Sequence, residues 1–341
     1  MRAFLLFLLK LGLTVLCLWW AFSGIDGQGT IFSHPEKIDF GWMAAGVVMA
    51  GLSVVMTAVR WWYFLRVQAI KVSVGRAIEL TMIGNLFNLI SVGSLGGDAA
   101  KVILLIRDHP GKKLAITMTV LMDHMAGMVT IGLLFFFVSS GRFNELTSRE
   151  ILGNQGENLI RLAWLYIGGG FVMVGFFFLC ASPPIHKRIH ANNRLDRWPF
   201  MRQVPEIYDT YRKNWKLTLA GLAASFAMVF TFFASFWCGL MAVGGHASLG
   251  SVMTAMPVID GLSSIPVSIS GIGIRENLFM MLMPAITDVP KEVARDASLA
   301  GFACSVFWAL LGAGFFLKKR DRISAAELRE NNAQGMTESE A

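Results

Sequence analysis

Charge is what this chain has little of. Only 16% of its 341 residues are Asp, Glu, Lys or Arg, where soluble chains carry about a quarter. Hydrophobic residues make up 55%, and the mean hydropathy is +0.56. That shortage excludes a soluble globular domain and leaves an integral membrane protein. Catalytic patterns are lacking as well: there is no HExxH and no GxSxG, and the GxG within SGIGIRE has no strand–turn–helix setting for a dinucleotide. Cysteine is sparse. Cys17, Cys180, Cys238 and Cys304 all lie in apolar runs without metal or redox spacing and read as inert packing residues. No catalytic residue, metal or cofactor is expected. Nor does the net charge of +7 imply nucleic acid, because no basic stripe with interleaved aromatics stands on a soluble segment. The bases sit between apolar runs, where they anchor against anionic headgroups.

What is present is a series of long apolar runs. Six reach the roughly 20 residues that a helix needs to cross a bilayer, at about 3–23, 41–65, 114–138, 159–181, 217–243 and 297–317. The first resembles a secretory signal, with Arg2 ahead of it and Ala21-Phe22-Ser23 behind, but Lys10 interrupts it and it is read as an uncleaved span. Two further regions, about 77–106 and 250–285, are broken near their middles by SVGSLGGDAAK and PVSISGIGIREN. Each is too long for one upright span and too broken for one helix.

Loop charges decide how the broken regions run. Residues 24–40 carry Asp26, Glu36 and Asp39 against Lys37 alone, so they read as outside. Arg66, Lys71 and Arg76 precede the first break, and Arg107, Lys112 and Lys113 follow it, so both of its ends read as cytoplasmic. Residues 182–216 hold eight Lys or Arg against three acids, and the polar tail 318–341 opens with KKRDR; both also read as inside. The second broken region then begins and ends outside. The expected fold is an all-α polytopic membrane protein of six spans and two oppositely oriented re-entrant hairpins, with both termini cytoplasmic.

Such hairpins bring non-helical backbone to mid-membrane, which is tolerated only inside protein or beside a wet cavity. The turn residues Ser94, Gly96 and Gly97, and their counterparts Ser270, Gly271 and Gly273, sit ahead of DAAKVILLI and IRENLFMML. Both stretches read as helix starts whose free N–H groups would face a polar site. Superposing Gly97 on Gly273 sets Ser94 opposite Ser270 and brings Asp98 and Lys101 level with Arg275 and Glu276. An inverted repeat of the transporter kind is one reading of that match, and chance likeness of two glycine turns is the other.

In order and spacing, Asn85-Leu-Phe-Asn88, GSLGGDAAKVILL, AITMTVLMDHMAG and SSIPVSISGIGIRENLF resemble the lysylphosphatidylglycerol synthase transmembrane-region family, also called flippase-like proteins, over roughly residues 1–320. The resemblance implies a membrane domain that moves lipids or lipid-linked headgroups between leaflets, with a phospholipid or polyprenyl-linked lipid as partner and the oligomeric state open. Nothing resembling the aminoacyltransferase fused to the best-known members follows residue 320, so lipid aminoacylation is not expected. Two departures stand out. The family's Asp–Arg pair appears here as Asp123-His124, and the glycine-rich turn before Arg275-Glu276 reads SGIG, with Ser270 in place of glycine.

Each polar candidate has two readings. Arg275 offers a planar fork to a lipid phosphate, or is neutralised by Glu276 or Asp98. Lys101 binds a headgroup, or pairs with Asp98 one turn earlier. Asp123 and His124 form a proton-coupling site, or the Asp is a counter-charge for Arg275 or Lys101. Asn85 and Asn88 share a helix face and hold either a headgroup or a neighbouring helix. Arg60 reads as a snorkelling residue near the inner end of its span, Glu79 and Asp260 as interfacial or paired, and Trp198, Tyr208 and Tyr211 as part of an interfacial helix. The favoured function is translocation of an anionic or phosphate-bearing lipid across a bacterial-type inner membrane. An ion-coupled carrier of a small anionic solute and a membrane-embedded lipid-modifying enzyme are the alternatives.

Overall fold

Asp39 caps the first described long helix. Its carboxylate accepts the backbone N–H groups of Gly41 (2.8 Å) and Trp42 (3.2 Å), capping two of the donors that a helix start leaves without partners. In the computed structural model, residues 36, 38–90, 95–148, 150–151, 154–181, 209–265 and 268–339 are described. The expected first span, Lys10, Ser94, Trp198 and Tyr208 lie outside them.

The chain is an all-α membrane protein. Helices α1 (Phe40–Val67), α2 (Val74–Ile90), α3 (Leu95–Asp108) and α4 (Lys113–Gly141) are followed by the short α5 (Phe143–Thr147) and a two-residue ladder pairing Glu150–Ile151 with Asn154–Gln155. Then come α6 (Gly156–Ala181), α7 (Trp215–Ala242), α8 (Leu249–Ser263), α9 (Ile274–Ile286) and α10 (Lys291–Ser339). Among the described residues, four helical segments are long and apolar enough to cross a membrane: Phe40–Val67, Pro110–Gly141, Trp215–Ala242 and Lys291–Lys318. The expected span 159–181 forms the 26-residue α6. The polar tail continues α10 as helix to Ser339.

Helices α1, α7 and α10 pack together as the centre. Trp308 of α10 donates its indole N–H to the Val47 carbonyl of α1 (2.7 Å), and the Asp39 N–H meets the Ala242 carbonyl (2.9 Å), which sets the start of α1 beside the end of α7. Phe233, Phe236, Val252, Met256 and Phe279 belong to one buried cluster joining α7, α8 and α9. Tyr211, expected at an interface, is instead buried against Phe64, with ring centroids 6.1 Å apart.

The two broken regions fold as helical hairpins. Their arms hold 17 and 14 residues in α2 and α3, and 15 and 13 in α8 and α9. At about 1.5 Å per residue, each arm is roughly 20–26 Å long, short of a hydrocarbon core of about 30 Å. Arg76, near the start of α2, bonds Asp108 at the end of α3 (2.7 Å) and closes the open end of the first hairpin. That end adjoins the turn that follows α1, where Lys112 donates to the Ala69 carbonyl (2.6 Å). The second hairpin follows α7 through 243–248, and therefore opens at the opposite end of the bundle.

The tips of the hairpins meet. Ser270 donates its hydroxyl to the carbonyls of Asn88 (2.8 Å) and Leu89 (3.0 Å), in the last turn of α2, where helical carbonyls have no partner of their own. To reach them Ser270 adopts a left-handed φ of 52°, and Gly271 (70°) and Gly273 (86°) complete a turn that only glycine enters without strain.

Candidate functional site

A cavity of about 410 Å³ lies where the tips meet. Its polar wall includes Arg60 of α1, Asn85 and Asn88 of α2, Asp260 of α8, Ser270 of the turn and Arg275 of α9. Its apolar wall includes Met228, Phe232 and Phe233 of α7 and Phe302 and Val306 of α10. The volume suits a small molecule or a headgroup.

Arg275 enters this wall because Gly273 ends the turn one residue before α9. Glu276, three residues into the new start, reaches back to accept the Gly273 N–H (2.5 Å), while Asn277 donates to the Gly273 carbonyl (2.7 Å). Glu276 is fully buried, and its other oxygen takes Arg275 Nη2 (3.0 Å) and the Ser298 hydroxyl (3.1 Å). Arg275 Nε in turn donates to Ser298 (3.3 Å), and the guanidinium lies 4.1 Å from the ring centre of Phe302, which adds cation–π attraction. The side chain is thus held on one edge and one face while it lines the cavity.

The second arginine is one that the sequence reading misplaced. Arg60 does not snorkel to the surface. It is buried and makes a two-pronged ion pair with Asp123: Nε to Oδ1 at 2.6 Å, and Nη2 to Oδ2 at 2.8 Å. Arg60 lies seven residues, about 10 Å, inside the end of α1, and Asp123 stands opposite it on α4. Arg60 Nη1 is buried and has no hydrogen-bond partner among the described residues. The counter-charge of Asp123 is therefore neither Arg275 nor Lys101. A cue was available: an acid inside a span requires a cation, and Arg60 is the one arginine within the apolar part of α1.

Lys101, Asp98 and His124 form a separate network that does not line the cavity. Asp98 accepts Lys101 Nζ (2.7 Å) and His124 Nε2 (2.9 Å). The Lys101 ammonium also stands 5.3 Å from the ring centre of Trp61. The adjacent residues Asp123 and His124 thus serve two sites on different faces of α4. Gly97 is buried in the first turn of α3, its N–H bonded to Asn88 Oδ1 (2.7 Å), and an added Cβ would fall 2.2 Å from the Gly84 carbonyl oxygen. Gly96 precedes it. Gly97 is therefore the third residue of its helix, whereas Gly273 lies just ahead of α9. Matching the helix starts places Asp98 opposite Asn277, three residues off the superposition expected from sequence.

Asp260, expected at an interface or in a pair, lines the cavity instead. Asn88 both lines the cavity and ties the arms of its hairpin, while the Asn85 side chain has no hydrogen bond among the described residues. No three His, Cys, Asp or Glu side chains among the described residues converge as a metal set.

The family model described as the lysylphosphatidylglycerol synthase TM region matches residues 7–314. The chain belongs to that family. The cavity, both hairpins and both arginines fall within the matched residues. A UPF0104 membrane protein, PH1989 of Pyrococcus horikoshii, is 29% identical to the chain over 133 residues, which is 38% of each protein's length.

Proposed function

We propose that the protein translocates an anionic or phosphate-bearing lipid between the leaflets of a cytoplasmic-type membrane, acting as a carrier and not as an enzyme. The observation that carries this reading is a cavity lined both by two arginines and by phenylalanines, where the Arg60 Nη1 donor has no hydrogen-bond partner among the described residues. A lipid headgroup needs charged donors and its tails need apolar wall, and this cavity provides both. Arg60 and Arg275 would grip the phosphate oxygens, which their planar forks match. Asn85 would add an amide contact. Asp123 and Glu276 are committed to the arginines, which leaves them poorly placed as general bases and favours relocation over chemical change.

On this reading the hairpins are re-entrant, the basic end bearing Arg66, Lys71, Arg76, Lys112 and Lys113 is cytoplasmic, and both termini are inside. Cysteines introduced at positions 72 and 110 of a cysteine-free background should then react only after permeabilisation, and one at 290 should react from outside.

The deciding experiment uses purified full-length protein in phosphatidylethanolamine and phosphatidylglycerol vesicles that carry tail-labelled fluorescent phosphatidylglycerol. Wild type should equilibrate the probe across the bilayer. Arg275→Ala should slow it at least about tenfold, and Arg275→Lys should recover part of the rate. If Arg275→Ala does not fold, the neutral pair Arg275→Gln with Glu276→Gln removes the site without stranding an acid. Unchanged probe movement in that folded double variant overturns the role of Arg275. Uptake of a tail-free anion with no lipid movement would favour the small-solute carrier, and a chemically altered lipid would favour the enzyme.

A further inference from the structure

The three ionisable side chains on the cavity wall differ in how they are paired. Arg60 is held by both oxygens of Asp123, and Arg275 by Glu276. Asp260, in the last turn of α8, has no hydrogen bond or ion pair to its carboxylate among the described residues, and Arg275 is the charged group that acts on it electrostatically.

Among the described residues, the helices around Asp260 supply no further cation to the cavity wall. From α7 the wall receives only apolar side chains, and from α10 Phe302, Ser305, Val306 and Ala309. On α4, Asp123 is engaged by Arg60, and His124 by Asp98. Arg142, which follows α4 and reaches Thr254 of α8 (3.4 Å), is bonded to Glu145. On α9, Glu276 stands behind Arg275. Each cavity arginine is thus neutralised by its own carboxylate, and Asp260 leaves the wall with one negative charge in excess.

That excess opposes the cargo. A lipid phosphate drawn to Arg275 would place a second negative charge beside Asp260 in surroundings of low dielectric, where like charges do not both persist. Taking up one proton turns the carboxylate into a neutral acid, and the only bond formed is O–H. When the phosphate leaves, the like charge that held the proton on Asp260 is gone, and the proton departs.

We propose that Asp260 is the proton-carrying residue of the transport cycle, binding one proton as the lipid phosphate enters and releasing it as the phosphate leaves, so that the two cross together. This rests on the translocation reading above. It places coupling at Asp260, since Asp123 is locked in the Arg60 pair. One proton with one phosphodiester charge is electrically neutral, so a pH difference drives the cycle toward the alkaline side and a membrane potential does not.

In the same vesicles, with the potential clamped, wild type should concentrate labelled phosphatidylglycerol in the leaflet facing the alkaline side, up to about tenfold per pH unit, the limit for one proton per lipid. An imposed potential without a pH difference should concentrate nothing. Asp260→Asn should lose the pH response whatever its residual exchange rate, and Asp260→Glu, which keeps a titrating carboxyl, should retain it. Concentration of the probe by folded Asp260→Asn overturns the proposal, as does a wild type that exchanges lipid with no pH response or follows a sodium gradient instead. In those cases translocation itself stands. A second readout does not depend on lipid movement. Wild-type protein in detergent should take up protons from a weakly buffered, dye-containing solution when the non-titrating diester glycerophosphoglycerol is added, and Asp260→Asn should not. Absence of proton uptake by wild type overturns the coupling role, whereas absence of probe movement with proton uptake intact overturns translocation alone.

Discussion

In the first hairpin, the acid at the start of the returning helix, Asp98, is answered by Lys101 one turn along the same helix and by His124, whose side chain is 44% exposed. In the second, Glu276 is fully enclosed and is answered by the Gly273 N–H, by Ser298 of α10 and by Arg275. Both returning helices thus open with a carboxylate near their positive ends, where the helix dipole favours it. The difference lies in what each acid holds. Asp98 keeps its cations away from the cavity, while Glu276 holds one cation on the cavity wall. A shared backbone plan therefore carries a structural charge network in one half and the proposed binding group in the other.

The sharpest way to break this comparison is to neutralise both acids. Glu276→Gln should cost about 3–5 kcal/mol, since it strands the buried Arg275 and weakens the turn. Asp98→Asn should cost less, about 1–3 kcal/mol, because Lys101, although buried, keeps the face of Trp61 and His124 has access to water. Thermal melting of the two variants in detergent measures both, and equal losses would abolish the distinction. Next in size, Gly97→Ala drives a methyl group into the Gly84 backbone and should cost about 1–3 kcal/mol through overpacking. Gly261→Ala, with open space around it, should stay near wild type on the same melting assay.

The smallest expected effect concerns the tips. Ser270→Ala should lose about 0.5–2 kcal/mol with the hydroxyl bonds. Ser270→Gly loses the same bonds but relieves the left-handed strain, and should melt closer to wild type. If Ser270→Gly melts lower than Ser270→Ala, the hydroxyl and the strain do not offset one another as described.

The broken regions could be read from sequence because length and glycine content are local properties, and the Asp98–Lys101 pair, which spans a single helical turn, was one of two readings left open for Lys101. The Arg60–Asp123 pair was not legible in that way, since 63 residues and a change of helix separate its members. Counting from the end of a span places Arg60 within reach of water, and only the position of α4 denies it that route. Asp260 was missed for a related reason: its depth depends on how far α8 enters before turning, which the tip contact fixes and hydropathy does not. Ser270 stood out in the sequence as a serine in place of a turn glycine, but the carbonyls its hydroxyl reaches belong to the other hairpin, 181 and 182 residues away.

That serine has one proton to give and two carbonyls to receive it, at 2.8 and 3.0 Å. A hydroxyl shared in this way can pass from one acceptor to the next as the tips slide, with the donor never left bare and the full cost of a broken bond never met at once. The junction between the hairpins is thus a shared seat, in which either carbonyl can hold the donor if the other draws away.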